Sequence, residues 1–257
     1  MRVVVLDGGY DGWDTERRIL APLGAEVVVR PCDRDPARVL AAIADADGAL
    51  VRESPIAREA IGAAPALRGI VRYGIGVDNI DLDTARERRI KVANVPDYGA
   101  EEVSDQGLAL LLGVVRRVAA RDRAVRAGAW NLARTERMHR VAGRTLGLVG
   151  YGRIARTFER KMRGMGVARV LVADPAVTSA DGVEVVDLDT LCREADFVSL
   201  HAPLTPATRH LLDARRIGLL KPGAIVVNTA RGGLVDEAAL VQALAERRIA
   251  GAALDVF

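Results

Sequence analysis

The sequence is poor in residues that mark several classes of protein. Its two cysteines, Cys32 and Cys192, lie far apart and without metal-ligand spacing, so neither a disulfide framework nor a zinc site is indicated. The longest apolar run, residues 108–115, is too short to span a bilayer, and the four apolar residues before Asp7 are too few for a signal peptide. We expect a cytoplasmic protein with no metal and no membrane contact.

Lysine is also scarce, since only Lys91, Lys161 and Lys221 occur among the 37 basic residues, which face 34 acidic ones. The densest basic stretch, residues 116–126, contains Asp122 and no aromatic residue. Sites for single-stranded nucleic acid interleave basic and aromatic side chains. We therefore expect a solvated surface of mixed charge and no nucleic-acid partner.

Short β-branched runs alternate with helical stretches along all 257 residues, which predicts an α/β fold with parallel sheets. One helix of the first half is predicted to be capped by Asp14 and ended by Gly24, and another to be capped by Asp35 with Pro36 as its first residue. The pattern indicates a small doubly wound unit. Its strands are predicted at residues 3–7, 26–30, 48–51, 69–72 and 90–93.

A single long helix is predicted over residues 101–127, where apolar residues recur near helical spacing. We interpret this helix as the joint between two units. A second series follows it, with strands predicted at 145–149, 169–173, 197–200, 224–228 and 250–256, and helices at 152–164 and 236–247.

A glycine-rich turn opens the second series. Gly150, Gly152 and Ala155 occupy the three glycine places of G-x-G-x-x-G/A, which allow a tight turn, close approach of a pyrophosphate and close packing of helix on strand. The unpaired N–H groups of the next helix suit phosphate. Taken alone, this motif fits a tight turn without a ligand equally well.

An acidic residue ends the next predicted strand. Asp174 lies 22 residues after Gly152, where a carboxylate accepts hydrogen bonds from both ribose hydroxyls and repels the 2′-phosphate of NADP. The alternative is a turn residue before Pro175. Together with the glycine motif, Asp174 favours NAD as cofactor.

Other predicted strands of this half also end in polar residues. His201 follows one strand, Thr229 to Arg231 follow the next, and Asp255 follows the last. Ligands bind outside the carboxyl ends of parallel strands, so we expect these groups to converge on one crevice. The Gly-Gly bend after Arg231 suits a guanidinium aimed at a carboxylate.

Five stretches of the sequence resemble the D-isomer-specific 2-hydroxyacid dehydrogenase family, which includes the D-3-phosphoglycerate dehydrogenases. They follow the family's order over most of the chain: VRYGIGVDNIDL at 71–82, VANVPDYGAEEVSD at 92–105, GRTLGLVGYGRIAR at 143–156, VSLHAPLTPATRHLL at 198–212 and LKPGAIVVNTARGGLVDEAAL at 220–240.

The resemblance implies an NAD-dependent oxidoreductase of small D-2-hydroxy acids. It implies two Rossmann-like, doubly wound parallel-sheet domains: a flavodoxin-like substrate-binding domain at 1–97, and an NAD-binding domain at 98–257 that is incomplete at its C-terminal end. It also implies a homodimer formed through the 101–127 helix.

The same resemblance assigns roles to residues. Arg231 matches the catalytic Arg that grips the substrate carboxylate and carbonyl, and Arg52 lies where some members contact substrate. The turn formed by Tyr73, Gly74, Ile75 and Gly76 is expected to hold the same carboxylate. The residues expected to bind NAD are Gly150, Tyr151, Gly152, Arg153 and Ile154 at the pyrophosphate, Asp174 at the ribose, His201, Ala202, Pro203, Thr208, Thr229 and Ala230 along the cofactor, and Asp255 at the nicotinamide carboxamide.

The family's remaining catalytic pair is a Glu just beyond the LDVF stretch and a later His, and neither is in this sequence. That His is the general acid, and the Glu raises its pKa. His139 and His210 have no partner motif, and His201 is assigned to cofactor binding. We therefore expect a truncated chain that binds a dinucleotide weakly and turns over 2-oxo acids negligibly.

Two further classes are alternatives. The VPDYGAEEVSD stretch also resembles the C-terminal binding protein branch, in which a dehydrogenase fold serves as an NADH-responsive co-regulator. A Rossmann protein that binds S-adenosylmethionine is disfavoured, because it leaves Arg231 and Asp255 unexplained.

Overall fold

The computed structural model describes residues 1–130 and 138–257, which form two compact units: unit 1 (Met1–Tyr98) and unit 2 (Gly99–Phe257). Each unit is built on one parallel sheet. Among the described residues, no helix combines the length and apolar character needed to cross a membrane, and no cluster of three or more His, Cys, Asp or Glu side chains is arranged to hold a metal ion.

Unit 1 alternates strands and helices. The strands are β1 (Arg2–Val5), β2 (Glu26–Val29), β3 (Gly48–Val51), β4 (Gly69–Arg72) and β5 (Lys91–Asn94), and the α-helices are α1 (Asp14–Leu20), α2 (Pro36–Ile43), α3 (Arg58–Ala63) and α4 (Leu82–Glu87). The sheet order is β2-β1-β3-β4-β5, so the winding reverses between β1 and β3. Val4, Val39, Ile43, Ile61 and Ile70 are fully buried in its core.

Asp14 does not cap α1, contrary to the prediction. It is the first residue of the helix, and the capping position is occupied by Trp13, whose side chain is buried in a hydrophobic cluster of unit 1. Gly24, with φ +65°, ends the 3-10 turn that continues α1. Asp35 does cap α2, since its carboxylate accepts the N–H of Ala37 at 2.9 Å, and proline opens that helix.

Unit 2 carries a six-stranded sheet. Its strands are β6 (Thr145–Val149), β7 (Arg169–Ala173), β8 (Glu184–Val185), β9 (Phe197–Leu200), β10 (Ile225–Asn228) and β11 (Gly251–Leu254), and its α-helices in the described residues are α5 (Ala100–Val115), α6 (Val118–Arg126), α7 (Arg153–Gly164), α8 (Leu188–Glu194), α9 (Ala214–Leu219) and α10 (Glu237–Ala245). The order β8-β7-β6-β9-β10-β11 reverses between β6 and β9, as in dinucleotide-binding sheets.

The single helix predicted over residues 101–127 is two helices. Arg117, which separates α5 from α6, has a left-handed backbone with φ +55°. The last residue of α5, Val115, is buried, whereas α6 has no buried residue. The apolar positions that suggested one helix therefore serve the core only in α5.

Candidate functional site

The turn between β6 and α7 is shaped by Gly150. Its φ is +87°, and a Cβ there would lie 2.9 Å from the backbone N of Ala202 and from the carbonyl C of His201. Gly152 has no atom within 4 Å of the place of a Cβ, so its outer side is open, while Ala155 is fully buried. The three positions therefore have the packing that the dinucleotide motif requires.

The N–H groups of this turn fall into two sets. Gly150 donates to the carbonyl of Ala173 at 2.9 Å, and Tyr151 donates to Asp174 Oδ2 at 2.8 Å. The N–H groups of residues 152–154 donate to no acceptor in the described part of the chain. They lie at the N-terminus of a 12-residue helix, where the helix dipole adds partial positive charge. This end of α7 offers what a pyrophosphate needs.

Asp174, directly after β7, is half-buried. Besides the N–H of Tyr151, it accepts the N–H of Ala176 through Oδ1 at 2.8 Å. Asp174 is therefore a turn residue that also ties the glycine turn to the end of β7. Each carboxylate oxygen accepts one bond from the protein and keeps a second lone pair for a ribose hydroxyl.

His201 directly follows β9, at the carboxyl end of that strand. Its Nε2 lies 2.9 Å from Ser199 Oγ, and its ring centre lies 5.5 Å from that of Phe158. Burial lowers the pKa of His201 to about 4, so the imidazole is neutral near pH 7. A neutral imidazole suits a wall of the site and carries no imidazolium proton to give to a 2-oxo group at that pH.

The loop after His201 is fixed by its own polar groups. Thr208 Oγ1 donates to the carbonyl of Pro203 at 2.6 Å and accepts the N–H of Thr205 at 2.7 Å. Ala202 is buried against the glycine turn. The hydroxyl of Thr208 therefore shapes the loop that follows β9.

Linked polar groups also follow β10 and β11. The N–H of Asp255 donates to the carbonyl of Asn228 at 3.0 Å, and Asp255 Oδ1 accepts Gln106 Nε2, on α5, at 2.8 Å. Asn228 shapes the bend after β10, because its Nδ2 donates to the carbonyl of Arg231 at 2.8 Å and its Oδ1 accepts the N–H of Ala230 at 3.0 Å. Neither Gln106 nor Asn228 was predicted as a site residue: Asn228 lies in the stretch at 220–240 that resembles the family but was given no role, and Gln106 lies one residue beyond the stretch at 92–105.

Thr229 and Arg231 lie at the same bend. The hydroxyl of Thr229 is buried and has no hydrogen-bond partner among the described residues, an arrangement that costs free energy unless a ligand supplies the partner. Arg231 Nη1 donates to the carbonyl of Ala230 at 2.7 Å, which holds the guanidinium close to the bend.

In unit 1 the predicted substrate residues follow β3 and β4. The guanidinium of Arg52 lies 5.6 Å from the ring centre of Tyr10, and its Nη1 and Nη2 donate no hydrogen bond to the described residues. The hydroxyl of Tyr73 donates to Glu16 Oε1 at 3.0 Å, and burial together with this carboxylate raises the pKa of Tyr73.

The predicted glycine turn offers two free N–H groups. Tyr73 donates to the carbonyl of Val51 at 2.7 Å, and Gly74 donates to the carbonyl of Arg72 at 2.9 Å. The Arg72 side chain lies across Gly74, where it would overlap a Cβ. The N–H groups of residues 75–76 have no acceptor within unit 1, so two of the four N–H groups remain for a carboxylate.

Asp7, after β1, organises the loop that carries Arg52. Its buried carboxylate accepts the N–H groups of Arg52, Glu53 and Ser54 at 2.6, 3.1 and 3.1 Å, and the hydroxyl of Ser54 at 2.7 Å. Sequence reasoning missed this role. The available signal was an Asp two residues after a buried strand, at the carboxyl edge of a parallel sheet, where ligands bind.

Comparison with known proteins identifies the family of this chain. The family model described as D-isomer specific 2-hydroxyacid dehydrogenase, NAD binding domain, matches residues 108–257, more than half of the chain. Hydroxypyruvate reductase of Thermotoga maritima is 39% identical over 217 residues, which are 84% of this chain and 70% of that protein. The chain belongs to the D-isomer-specific 2-hydroxyacid dehydrogenase family.

Other members of this dehydrogenase family extend the comparison. D-3-phosphoglycerate dehydrogenase of Mycobacterium tuberculosis is 40% identical over 247 residues, 93% of this chain but 46% of that protein, so the chain spans about half the length of such curated relatives. The solved TT0316 protein of Thermus thermophilus has a TM-score of 0.87 and 39% identity, with 100% of this chain and 82% of that chain covered. The resemblance, the fold class and NAD as the family's cofactor are confirmed.

Proposed function

We propose that this chain is part of an NAD-dependent oxidoreductase that transfers a hydride between nicotinamide and the 2-position of a small D-2-hydroxy or 2-oxo acid. The observation that carries the proposal is the set of N–H groups at residues 152–154, left without protein acceptors at the N-terminus of α7, with Asp174 after the next strand. A pyrophosphate and a ribose diol match this arrangement. Bound NAD supplies the hydride chemistry.

In this proposal residues 98–257 bind NAD and residues 1–97 bind the substrate. The division of the described chain between Tyr98 and Gly99 supports these bounds. Along the cofactor, Gly150 to Ile154 hold the pyrophosphate, and Asp255 faces the nicotinamide carboxamide. His201, Ala202, Pro203, Thr208, Thr229 and Ala230 line it.

The substrate carboxylate is assigned to arginine and backbone N–H groups. Arg231 grips the carboxylate and the carbonyl oxygen, because a guanidinium offers parallel N–H donors to such a group. In unit 1, taken by itself, the candidate donors to a carboxylate are the N–H groups of residues 75–76 and the Nη atoms of Arg52, whose Nε lies 3.4 Å from Glu53 Oε1. Donors of this kind orient and polarise a 2-oxo acid without supplying a proton.

We propose that the 257-residue chain alone turns over 2-oxo acids negligibly. Reduction of a 2-oxo group needs a proton donor, and His201 is neutral near pH 7 because burial lowers its pKa to about 4. A positioned general acid contributes roughly 10²- to 10⁴-fold to the rate. Without one, the chain is expected to bind a 2-oxo acid but to reduce it negligibly.

A homodimer through the α5–α6 region is also proposed. Val118 and Val125, on α6, expose 58 and 42% of their surface, and Trp130, just beyond that helix, exposes 84%, so apolar side chains on this face are accessible to a partner subunit. Sedimentation velocity of the folded chain checks this, and a monomer at high concentration would contradict it.

The central experiment is titration of the purified chain with NADH and NADPH by calorimetry. NADH is expected to bind more tightly, and Asp174→Ala is expected to narrow the difference, whereas Asp181→Ala, on the exposed stretch beyond it, is the matched control. Equal affinity for the two cofactors would overturn the role of Asp174. NADH binding without binding of any 2-oxo acid would favour the NADH-responsive co-regulator instead.

A further inference from the structure

Helix α5 places an amide side chain at the carboxyl end of β11. Gln106 Nε2 donates to Asp255 Oδ1 at 2.8 Å, although the two residues are 149 positions apart in the chain. The atom that faces the carboxylate is the nitrogen, because an ionised Asp accepts hydrogen bonds and cannot donate one. Asp255 is exposed, and among the described residues its carboxylate is restrained by the hydrogen bond from Gln106.

The backbones of both partners are fixed. Asp255 is held through its N–H by the carbonyl of Asn228 at 3.0 Å. On α5, a Cβ at Gly107 would lie 3.3 Å from the Phe158 ring and 3.8 Å from Thr229 Cγ2, so this turn of the helix packs closely over the end of β10. Gln106 is therefore set beside Asp255 by the packing of the helix.

Helix α5 is also tied to α7. Lys161 Nζ donates to Ser104 Oγ at 2.7 Å and to Asp105 Oδ1 at 2.6 Å. Ser104 is fully buried, and the Lys161 side chain is only 17% exposed. The element that carries Gln106 is thus held to the helix whose N-terminus forms the pyrophosphate site.

Once Gln106 occupies one carboxylate oxygen, the pair presents two acceptors. Asp255 Oδ2 and Gln106 Oε1 accept no hydrogen bond from the described residues. A carboxamide NH₂ carries two N–H donors and matches two neighbouring acceptors. An Asp255 carboxylate free to rotate would present these acceptors only part of the time.

We propose that Gln106 is a positioning residue for the nicotinamide ring: it orients the Asp255 carboxylate toward the carboxamide of the cofactor. This inference rests on the proposed function, in which Asp255 receives that group. Gln106 acts before hydride transfer, on the affinity and orientation of one end of the dinucleotide.

The test compares NADH with ADP-ribose, which has the pyrophosphate and both riboses but lacks nicotinamide. Gln106→Ala in the 257-residue chain is expected to weaken NADH about fivefold, the loss of one charge-assisted hydrogen bond, and to leave ADP-ribose within about twofold. The matched control is Gln242→Ala on α10, whose amide also donates to a carboxylate, that of Glu246, at 2.8 Å. It is expected to change neither affinity.

A double-mutant cycle shows whether Gln106 acts through Asp255. Asp255→Ala is expected to weaken NADH selectively, and adding Gln106→Ala is expected to have no further effect. Equal loss of both ligands in Gln106→Ala, or additive losses in the double variant, would overturn the inference. An unmodified chain that binds neither ligand would instead show that the proposed function is wrong, and the inference with it.

Discussion

Both units carry a parallel sheet, but the backbone N–H groups near the carboxyl ends of the strands have different partners in the two units. In unit 1 the Asp7 carboxylate accepts the N–H groups of three consecutive residues after β3. In unit 2 the N–H groups of residues 152–154 have no acceptor among the described residues. The loop after β3 is satisfied by the protein's own carboxylate, whereas the turn after β6 keeps N–H groups without an acceptor among the described residues.

The difference begins in the first strand–helix turn of each unit. The turn after β1 also contains several glycines, but it leads into α1, which has no buried residue. The turn after β6 leads into α7, which buries Ala155, Phe158 and Met162. Glycine content alone therefore does not hold a helix N-terminus over the edge of the sheet; the helix must also pack closely on the strand.

Removing the internal anion of unit 1 is expected to have the largest effect. Asp7→Ala leaves three N–H groups and the hydroxyl of Ser54 without their acceptor. Unpaired buried polar groups cost about 1–3 kcal/mol each, so we expect the free energy of unfolding to fall by at least about 3 kcal/mol. Urea unfolding measures this.

The control for Asp7 is Asp14→Ala, which removes an exposed carboxylate whose one ion pair in the described part of the chain is with Arg17 at 3.3 Å. Its effect is expected to stay within about 0.5 kcal/mol. Equal stability of the Asp7 and Asp14 variants would show that the hydrogen bonds of the Asp7 carboxylate do not stabilise the loop after β3.

In unit 2 the corresponding change is Gly150→Ala. The new Cβ would lie 2.9 Å from backbone atoms of His201 and Ala202, at a residue whose φ is +87°. We expect NADH affinity to fall by at least about tenfold, because the turn must shift and backbone strain adds about 1 kcal/mol. Gly12→Ala, where no atom lies within 4 Å of a Cβ, is the control in unit 1. Unchanged NADH affinity in Gly150→Ala would contradict the close packing of the turn.

The free energy of unfolding is expected to depend on pH through His201, which follows β9 in unit 2. Burial lowers the pKa of folded His201 to about 4 from 6.5, so the unfolded chain binds more protons between these values. The contribution to stability is complete above pH 6.5 and is lost as the pH falls toward 4. Between pH 7 and 5 the loss is on the order of 1–2 kcal/mol.

Urea unfolding at both pH values measures this loss. His201→Asn is expected to reduce it, and His210→Asn, at an exposed residue with φ +49° that asparagine tolerates, is expected to leave it unchanged. If the wild-type chain and His201→Asn lose the same unfolding free energy between pH 7 and 5, the pKa of His201 is not lowered in the folded chain.

The strand succession, the fold class and the glycine turn were predictable because each depends on local pattern: β-branched runs, helix caps and a short motif. The break at Arg117 was not, since a left-handed Arg has no sequence signature. The two-residue strand β8 is too short to form a pattern.

The polar partners of the site were the hardest part to predict. Gln106 meets Asp255 across 149 positions, and only the packing of α5 over the strand ends brings them together. Asp7 likewise reaches residues 45 to 47 positions away. Such contacts follow from tertiary structure, and the motifs identify only one side of each pair.

The smallest expected effect concerns two threonine hydroxyls of unit 2, one without a hydrogen-bond partner among the described residues and one bonded within its own loop. Thr229 Oγ1 is buried without a hydrogen-bond partner in the described chain, whereas the hydroxyl of Thr208 is bonded within its own loop. Thr229→Val keeps the shape and removes an unpaired polar group, so stability should stay equal or rise by up to about 1 kcal/mol. If a bound dinucleotide supplies the missing partner, the same change weakens NADH binding by about two- to fivefold.

Thr208→Val is expected to lower stability instead, because it breaks existing bonds. Thermal unfolding and NADH titration of the two variants decide the matter: a Thr229 variant as unstable as the Thr208 variant would mean that the folded chain already satisfies this hydroxyl.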